Sequence, residues 1–285
     1  MTFTTSRDAN GTITITPRNE ADQTATIVLC HGLGDTSQGW EDVAENLASK
    51  LPHVKFILPT AKTQKVTMNM GMAMPAWYDI VGLDKRSNEI CPGIDESQQR
   101  ILSILKSEND AGIPYNRMVL AGFSQGGALS LYTGMQLPNE VGCLAGIVMM
   151  SGYLPHASGF TITPGAESTP IFHGHGAIDP LVQLSAAKES QSHATEKGAT
   201  DYNLQIYEGL AHSANPKEVA DVLSFLQKVL PKVEECYIKL KDPSEMSVKE
   251  LKAAIVKAGI GSRAVGFSEK SEFIDLLKCH RAGKL

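Results

Sequence analysis

Apolar residues in this chain fall in two rhythms that alternate along it. Thr26-Ile-Val-Leu-Cys30, Val54-Lys-Phe-Ile-Leu58, Met118 to Ala121, Leu144 to Met150 and Pro170 to Gly174 are short, largely unbroken apolar runs. Such runs suit strands buried on both faces of a parallel sheet. Between them, apolar side chains recur every three or four positions, as at 40, 43, 44, 47 and 51. That spacing predicts a helix over Trp40–Leu51, and similar patterns predict others over Asp95–Lys106, Ala128–Leu137, Val182–Glu196 and Pro216–Val229. Thr12 to Thr16 alternates strictly, which predicts an early strand with one wet face, and Asn203–Tyr207 is a further strand. Strands alternating with helices imply a doubly wound, mainly parallel α/β sheet.

A chain of 285 residues holds one large domain and a small appendage. Its hydrophobic fraction of 42% and charged fraction of 20% are ordinary for a globular protein. No apolar run approaches the ~20 residues that span a bilayer. The first residues lack the apolar core of a signal peptide, and Thr2 stands where N-myristoylation needs glycine. The five cysteines (30, 91, 143, 236 and 279) are scattered without a C-x-x-C. They point to reduced thiols and a cytoplasmic protein. Residues 1–231 hold 15 basic and 23 acidic side chains, net −8, whereas 232–285 hold 11 and 8, net +3. An acidic body with a mildly basic tail suggests two units, and the tail's charge is too weak to argue for nucleic acid.

Chemistry enters at Gly122-Phe-Ser-Gln-Gly126. It matches G-x-S-x-G between a buried run and a helical pattern, the strand–turn–helix setting of a nucleophile elbow. Glycines permit a turn sharp enough to hold Ser124 in a strained backbone with its hydroxyl above the sheet. Serine needs an adjacent base, itself oriented by a third group. Both come from loops at the carboxyl ends of later strands, in the order Ser, Asp/Glu, His. His212 follows strand 203–207, while His193 falls in a helix and His280 in the appendage. His173 and His175 belong to a strand that must supply the acid, and His31 and His156 read as structural. Asp179 follows that strand, whereas Asp201 precedes its own strand and Asp221 sits on a helix face. Ser124, Asp179 and His212 alone satisfy order and edge. The oxyanion amides fall on Gln125 and, in the loop His31-Gly-Leu-Gly34, on Leu33. That loop lacks G-x-G-x-x-G and a following lysine, which argues against phosphate. No metal or cofactor is implied.

His31-Gly-Leu-Gly-Asp-Thr36, Met74-Pro-Ala-Trp-Tyr-Asp-Ile80, Gly122 to Ser130, Ser151-Gly-Tyr-Leu-Pro155 and Gly209-Leu-Ala-His-Ser213 together resemble the acyl-protein thioesterase/lysophospholipase family of α/β-hydrolases. The resemblance spans roughly 20–230 and puts nucleophile, acid, base and oxyanion amides on the positions already derived. It implies hydrolysis of long-chain acyl thioesters on S-acylated proteins, with lysophospholipids and carboxylic esters as further substrates and transient contact with a membrane surface. Met68, Met70, Met72 and Met74 alternate in Val66–Pro75, so an extended segment would put them on one side as the wall of an acyl channel or as core filling. Trp77 would flank the site. Three departures stand out: no cysteine precedes Cys30 where some relatives are lipidated, His175-Gly-Ala-Ile-Asp179 lacks the first aspartate of the family's His-Gly-Asp-x-Asp, and the chain continues past the family's usual end.

In that continuation, 232–246 reads as a linker and 247–285 as a helical module. Ser247-Val-Lys-Glu250 is a capping box opening a helix with apolar positions 248, 251, 254 and 255 and a stop at Gly259. Ser268–Glu272 opens a second, apolar at 273, 274, 276 and 277. The pair resembles a SAP-like helix–loop–helix, which implies protein binding before nucleic-acid binding, beside the plainer role of a stabilising cap.

Overall fold

The computed structural model describes residues 3–82, 90–235 and 237–285, so Thr2 and Cys236 lie outside the described residues. Its strands are β1 (Phe3–Arg7), β2 (Ile13–Pro17), β3 (Ala25–Cys30), β4 (Val54–Leu58), β5 (Thr63–Val66), β6 (Met72–Pro75), β7 (Met118–Phe123), β8 (Gly146–Met150), β9 (Ile171–Gly176) and β10 (Tyr202–Tyr207). The helices are α1 (Glu41–Lys50), α2 (Ile94–Asp110), α3 (Gln125–Met135), α4 (Leu184–Glu196), α5 (Pro216–Val229), α6 (Val248–Lys257) and α7 (Lys270–Arg281). Eight strands form one sheet in the order β1-β2-β4-β3-β7-β8-β9-β10, and β5 and β6 pair as a separate hairpin. The pairs from β4 to β10 are parallel; β1–β2 and β2–β4 are antiparallel.

Strand periodicity divides the core in two. Val28, Cys30, Leu120, Ile147 and Met149 point to the face covered by α2, α3 and α4. Their neighbours Ile27, Leu29, Val119, Val148 and Met150 point to the face covered by α1 and α5. This is the period of two in a sheet buried on both faces, and it explains the unbroken apolar runs. α3 is buried along its whole length.

β2 corrects one expectation. Ile13, Ile15, Thr16 and Pro17 are buried and only Thr14 is half-exposed, because β1 pairs along its outer edge and α1 packs against it. A wet face would need an uncovered sheet.

The chain runs from β3 to β4 on one side, and β7 then returns to the other side of β3. The order of strands therefore reverses between β3 and β7, and a crevice opens above their carboxyl ends. Loop 31–34 and Ser124 are the segments that leave those two ends.

The tail has a small core of its own, with Met246, Leu251, Ile255, Ile260, Phe273 and Leu277 buried together. The Ser247–Glu250 capping box is formed. The tail rests on the opposite edge of the sheet from the crevice. Arg18 donates to the Gly259 carbonyl at 3.2 Å, Asn19 to that of Arg281 at 3.2 Å, and Lys257 pairs with Glu20. Within 232–246, Tyr237 and Ile238 pack on the main core and the Lys239 amide donates to the Ala111 carbonyl at 2.9 Å.

Candidate active site

Ser124 sits between β7 and α3 with φ 51° and ψ −120°. A serine pays a steric cost there, of order 1–3 kcal/mol, so surrounding structure must impose it. Two glycines make it possible. A Cβ on Gly122 would collide with the backbone of Gly126 and Gly127, and one on Gly126 would collide with the carbonyls of Cys30 and His31. The Ser124 amide is tied to the Met150 carbonyl at 2.8 Å.

The hydroxyl so presented is met by His212, which leaves the end of β10. Ser124 Oγ lies 2.9 Å from His212 Nε2, and His212 Nδ1 lies 2.7 Å from Asp179 Oδ2. With Asp179 as acceptor, Nδ1 carries the proton and Nε2 is free to accept from the serine. Asp179 Oδ1 receives the amides of Leu181 and Val182 at 2.8 and 2.9 Å. Burial pushes the Asp179 carboxyl up, but the His212 bond and those two amides outweigh it and hold it below its ordinary value. It stays ionised, as an orienting group must. All three side chains are those singled out by order and edge; Asp201 takes no part in the set.

Among the described residues, the amides of Leu33 and Gln125 donate no hydrogen bond. The Gln125 amide opens α3, where the helix dipole favours negative charge. Loop 31–34 is braced from behind. His31 Nε2 accepts from the Ala61 amide at 2.9 Å and Nδ1 donates to the Gly32 carbonyl at 2.7 Å, which fixes a neutral ring; burial lowers its pKa in accord. The Gly34 amide donates to Pro75 at 2.8 Å. The arrangement can generate a serine nucleophile.

The methionine row is a correction. Residues 66–75 are not one extended segment: Thr67–Asn69 is a 3₁₀ turn, Met70 has φ 55° and Gly71 φ 73°, so β5 and β6 fold back as a hairpin. Met70 and Gly71, both left-handed, close the five-residue loop between the two strands. Met68 and Met74 turn inward against the main core, with Met74 beside Gly34, while Met70 is 90% and Met72 55% exposed. Trp77 is also placed differently: it is 1% exposed, and its indole donates to the His31 carbonyl at 2.8 Å. It buttresses loop 31–34 and does not line an open wall. A residue missed as a support is the Gln125 side chain, which accepts from the Trp77 amide at 2.9 Å and donates to the Tyr78 carbonyl at 2.8 Å. Its place after the serine marked only its backbone.

Residues 11–230 match the model of the phospholipase/carboxylesterase family. The chain belongs to that family. This member is a serine hydrolase. It is 40% identical over 236 residues to acyl-protein thioesterase 1 of Mycosarcoma maydis, covering 77% of this chain and 97% of that one. It is 40% identical to acyl-protein thioesterase 1 of Yarrowia lipolytica, covering 73% and 93%. Among solved structures, Zea mays acyl-protein thioesterase 2 superposes with a TM-score of 0.67 at 27% identity, covering 77% and 98%. Arabidopsis thaliana SOBER1 does so with 0.65 at 28%, covering 72% and 99%. Among the described residues, no helix of this family member is long and apolar enough to cross a membrane.

Proposed function

We propose that the chain hydrolyses long-chain acyl thioesters on S-acylated proteins, with lysophospholipids and simple carboxylic esters as side substrates. The observation that carries this reading is the line from Ser124 Oγ through His212 to Asp179, with both links under 3 Å. Ser124 attacks the acyl carbonyl as His212 Nε2 takes its proton. The tetrahedral oxyanion is received by the amides of Leu33 and Gln125. Collapse expels the thiolate, which His212 protonates, and leaves an acyl-serine. Water, activated by the same imidazole, releases the fatty acid. Asp179 holds the Nδ1 proton and balances the imidazolium in both halves.

The thioester preference is supported by relatives that bear the name acyl-protein thioesterase. In this reading Met74, which lies beside Gly34, and Met68 contact the acyl chain, and exposed Met70 and Met72 suit contact with a membrane surface near acylated protein. The enzyme is read as cytoplasmic, with the 247–285 module on the far edge as a surface for a partner protein. A series of acyl thioesters and nitrophenyl esters from two to sixteen carbons tests the reading. Turnover peaking at two to four carbons makes the protein a short-chain carboxylesterase. A folded protein that fluorophosphonate does not label is a non-enzymatic adaptor.

A further inference from the structure

Behind Asp179 runs a second line of buried polar groups that the triad leaves unused. His173 and His175 share one face of β9, and both are fully buried. Nitrogens left unmet in such a place cost on the order of 1–3 kcal/mol each, so their partners determine where the protons sit. His175 Nε2 lies 2.8 Å from the Val182 carbonyl. A carbonyl only accepts, so Nε2 carries the proton. Burial holds the His175 ring below its ordinary pKa, against the pull of Val182 and Asp179. The ring is neutral and its Nδ1 is an acceptor. His173 Nε2, 3.3 Å away, is then the donor, and His173 Nδ1 accepts from the Tyr202 hydroxyl at 2.9 Å. Burial and the neighbouring His175 push His173 well below the imidazole range, against the Gly152 carbonyl, and burial raises Tyr202. The Val182 carbonyl thus fixes the tautomer of His175 and, with it, the direction of the bond from His173.

That carbonyl belongs to the turn that presents the acid. The Val182 amide donates to Asp179 Oδ1, and His175 Nε2 lies 3.7 Å from Asp179 Oδ2, the oxygen that His212 uses. We propose that Tyr202, His173 and His175 form a positioning relay, which keeps the His175 proton on Nε2 and fixes turn 179–182 so that Asp179 is committed to His212. The proposal rests on the reading of Ser124, His212 and Asp179 as the catalytic set.

Cutting the line at His173 frees His175 Nδ1 for a second proton. An imidazolium would then stand beside Asp179 and draw on the carboxylate that His212 needs. The ionisable groups around the two rings are Tyr202 from β10, Asp179 from the turn after β9 and His212 from the loop after β10. Met149 of β8 and Leu204 of β10 flank His173 in register, and the buried side chains of α4 are Ala187, Ser190 and Ala194. None of these competes for the proton.

The test uses the full chain, a small water-soluble ester and kcat and KM from pH 5 to 9. His173→Leu should lose about tenfold to a hundredfold in kcat with KM nearly unchanged, as for a group that only misplaces the acid. Its acidic limb should move to higher pH by about half a unit or more, because His175 takes up a proton in the working range. His173→Gln, which can donate to His175 and accept from Tyr202, should keep kcat within about threefold and restore the limb. Tyr202→Phe should move the limb the same way by a smaller amount. A wild-type limb and kcat in a folded His173→Leu, or equal damage in His173→Gln, overturns the relay. Should His173→Leu fail to fold, a wild-type limb in Tyr202→Phe overturns it. Wild-type turnover that survives Ser124→Ala would instead sink the catalytic set beneath it.

Discussion

The two edges of the main sheet are built to opposite standards. At the carboxyl edge, Ser124 and Ser151 hold positive φ angles of 51° and 49°, and the Glu218 carboxyl is fully buried on α5. At the amino edge, polar groups close on one another. Arg117 donates to the carbonyls of Thr24 at 3.0 Å and Pro231 at 2.8 Å. Lys55 meets buried Glu108 at 2.5 Å, and Gln23 and Thr26 donate to the same carboxylate. His53 bonds to the Leu230 carbonyl at 2.9 Å, and Arg18, Asn19 and Glu20 bond to the tail. Strained serine backbone gathers at the edge that holds the nucleophile, and a set of ion pairs and hydrogen bonds ties the other edge together.

The comparison breaks most visibly at Ser124. Replacing it with alanine should remove turnover by a factor of about 10⁶ while leaving the melting temperature equal or higher. Ester hydrolysis with a thermal melt checks both, and residual turnover above about one percent ends the assignment. Asp179→Asn should cost up to about 10⁴-fold in kcat, since an amide favours the wrong imidazole tautomer. Near-normal kcat in that variant would mean that another carboxylate orients His212.

Glu218 sharpens the contrast in stability. It is fully buried on α5 against Gly174, and burial pushes its pKa from 4.5 up to about 7, against the pull of the Asn215 backbone. The folded state therefore binds the proton more tightly than the unfolded chain. Stability from this group is present below pH 4.5 and is lost as pH rises to about 7. At about 1.4 kcal/mol per pH unit the loss is on the order of 3 kcal/mol. Glu218→Gln should be more stable than the wild type at pH 8 and lose that advantage near pH 5. Urea midpoints at the two pH values decide, and parallel midpoints rule the effect out.

At the amino edge the expected effect is smallest. Chains ending after Pro231 and after Leu240 should both hydrolyse a small ester at rates within about twofold of the full chain. The longer one should melt higher, because it keeps Tyr237 and Ile238 on the core and Lys239 on Ala111. Loss of ester turnover in both would make the tail part of the catalytic body.

Much of this was legible because it rests on local rules. Buried parallel strands need unbroken apolar runs, an elbow needs its glycines, and the order of strands orders the triad, so β3, β7, Ser124, Asp179 and His212 could be read directly. The α6 capping box was equally local. The Thr63–Pro75 hairpin was not, because a period of two does not show that Met68 and Met70 fall in its turn and only Met72 and Met74 in a strand. β1 was hidden since Phe-Thr-Thr-Ser-Arg carries little apolar signal and exists only through its pairing with β2. The bracing roles of Trp77 and of the Gln125 side chain escaped because their partners, the His31 carbonyl for the indole and the Trp77 and Tyr78 backbone for the amide, come from loops that meet only in the fold.

The bond from Asn19 to the Arg281 carbonyl joins residues 262 positions apart. Closing so long a loop costs chain entropy before any contact repays it, so such contacts form late. During synthesis the tail leaves the ribosome only after the hydrolase sheet can assemble, and it then settles on a surface already made. Amide exchange should report the same order in reverse, with α6 and α7 opening while β3, β7 and β8 stay protected. The clasp is a latch closed at the end of folding, and its opening leaves the elbow undisturbed.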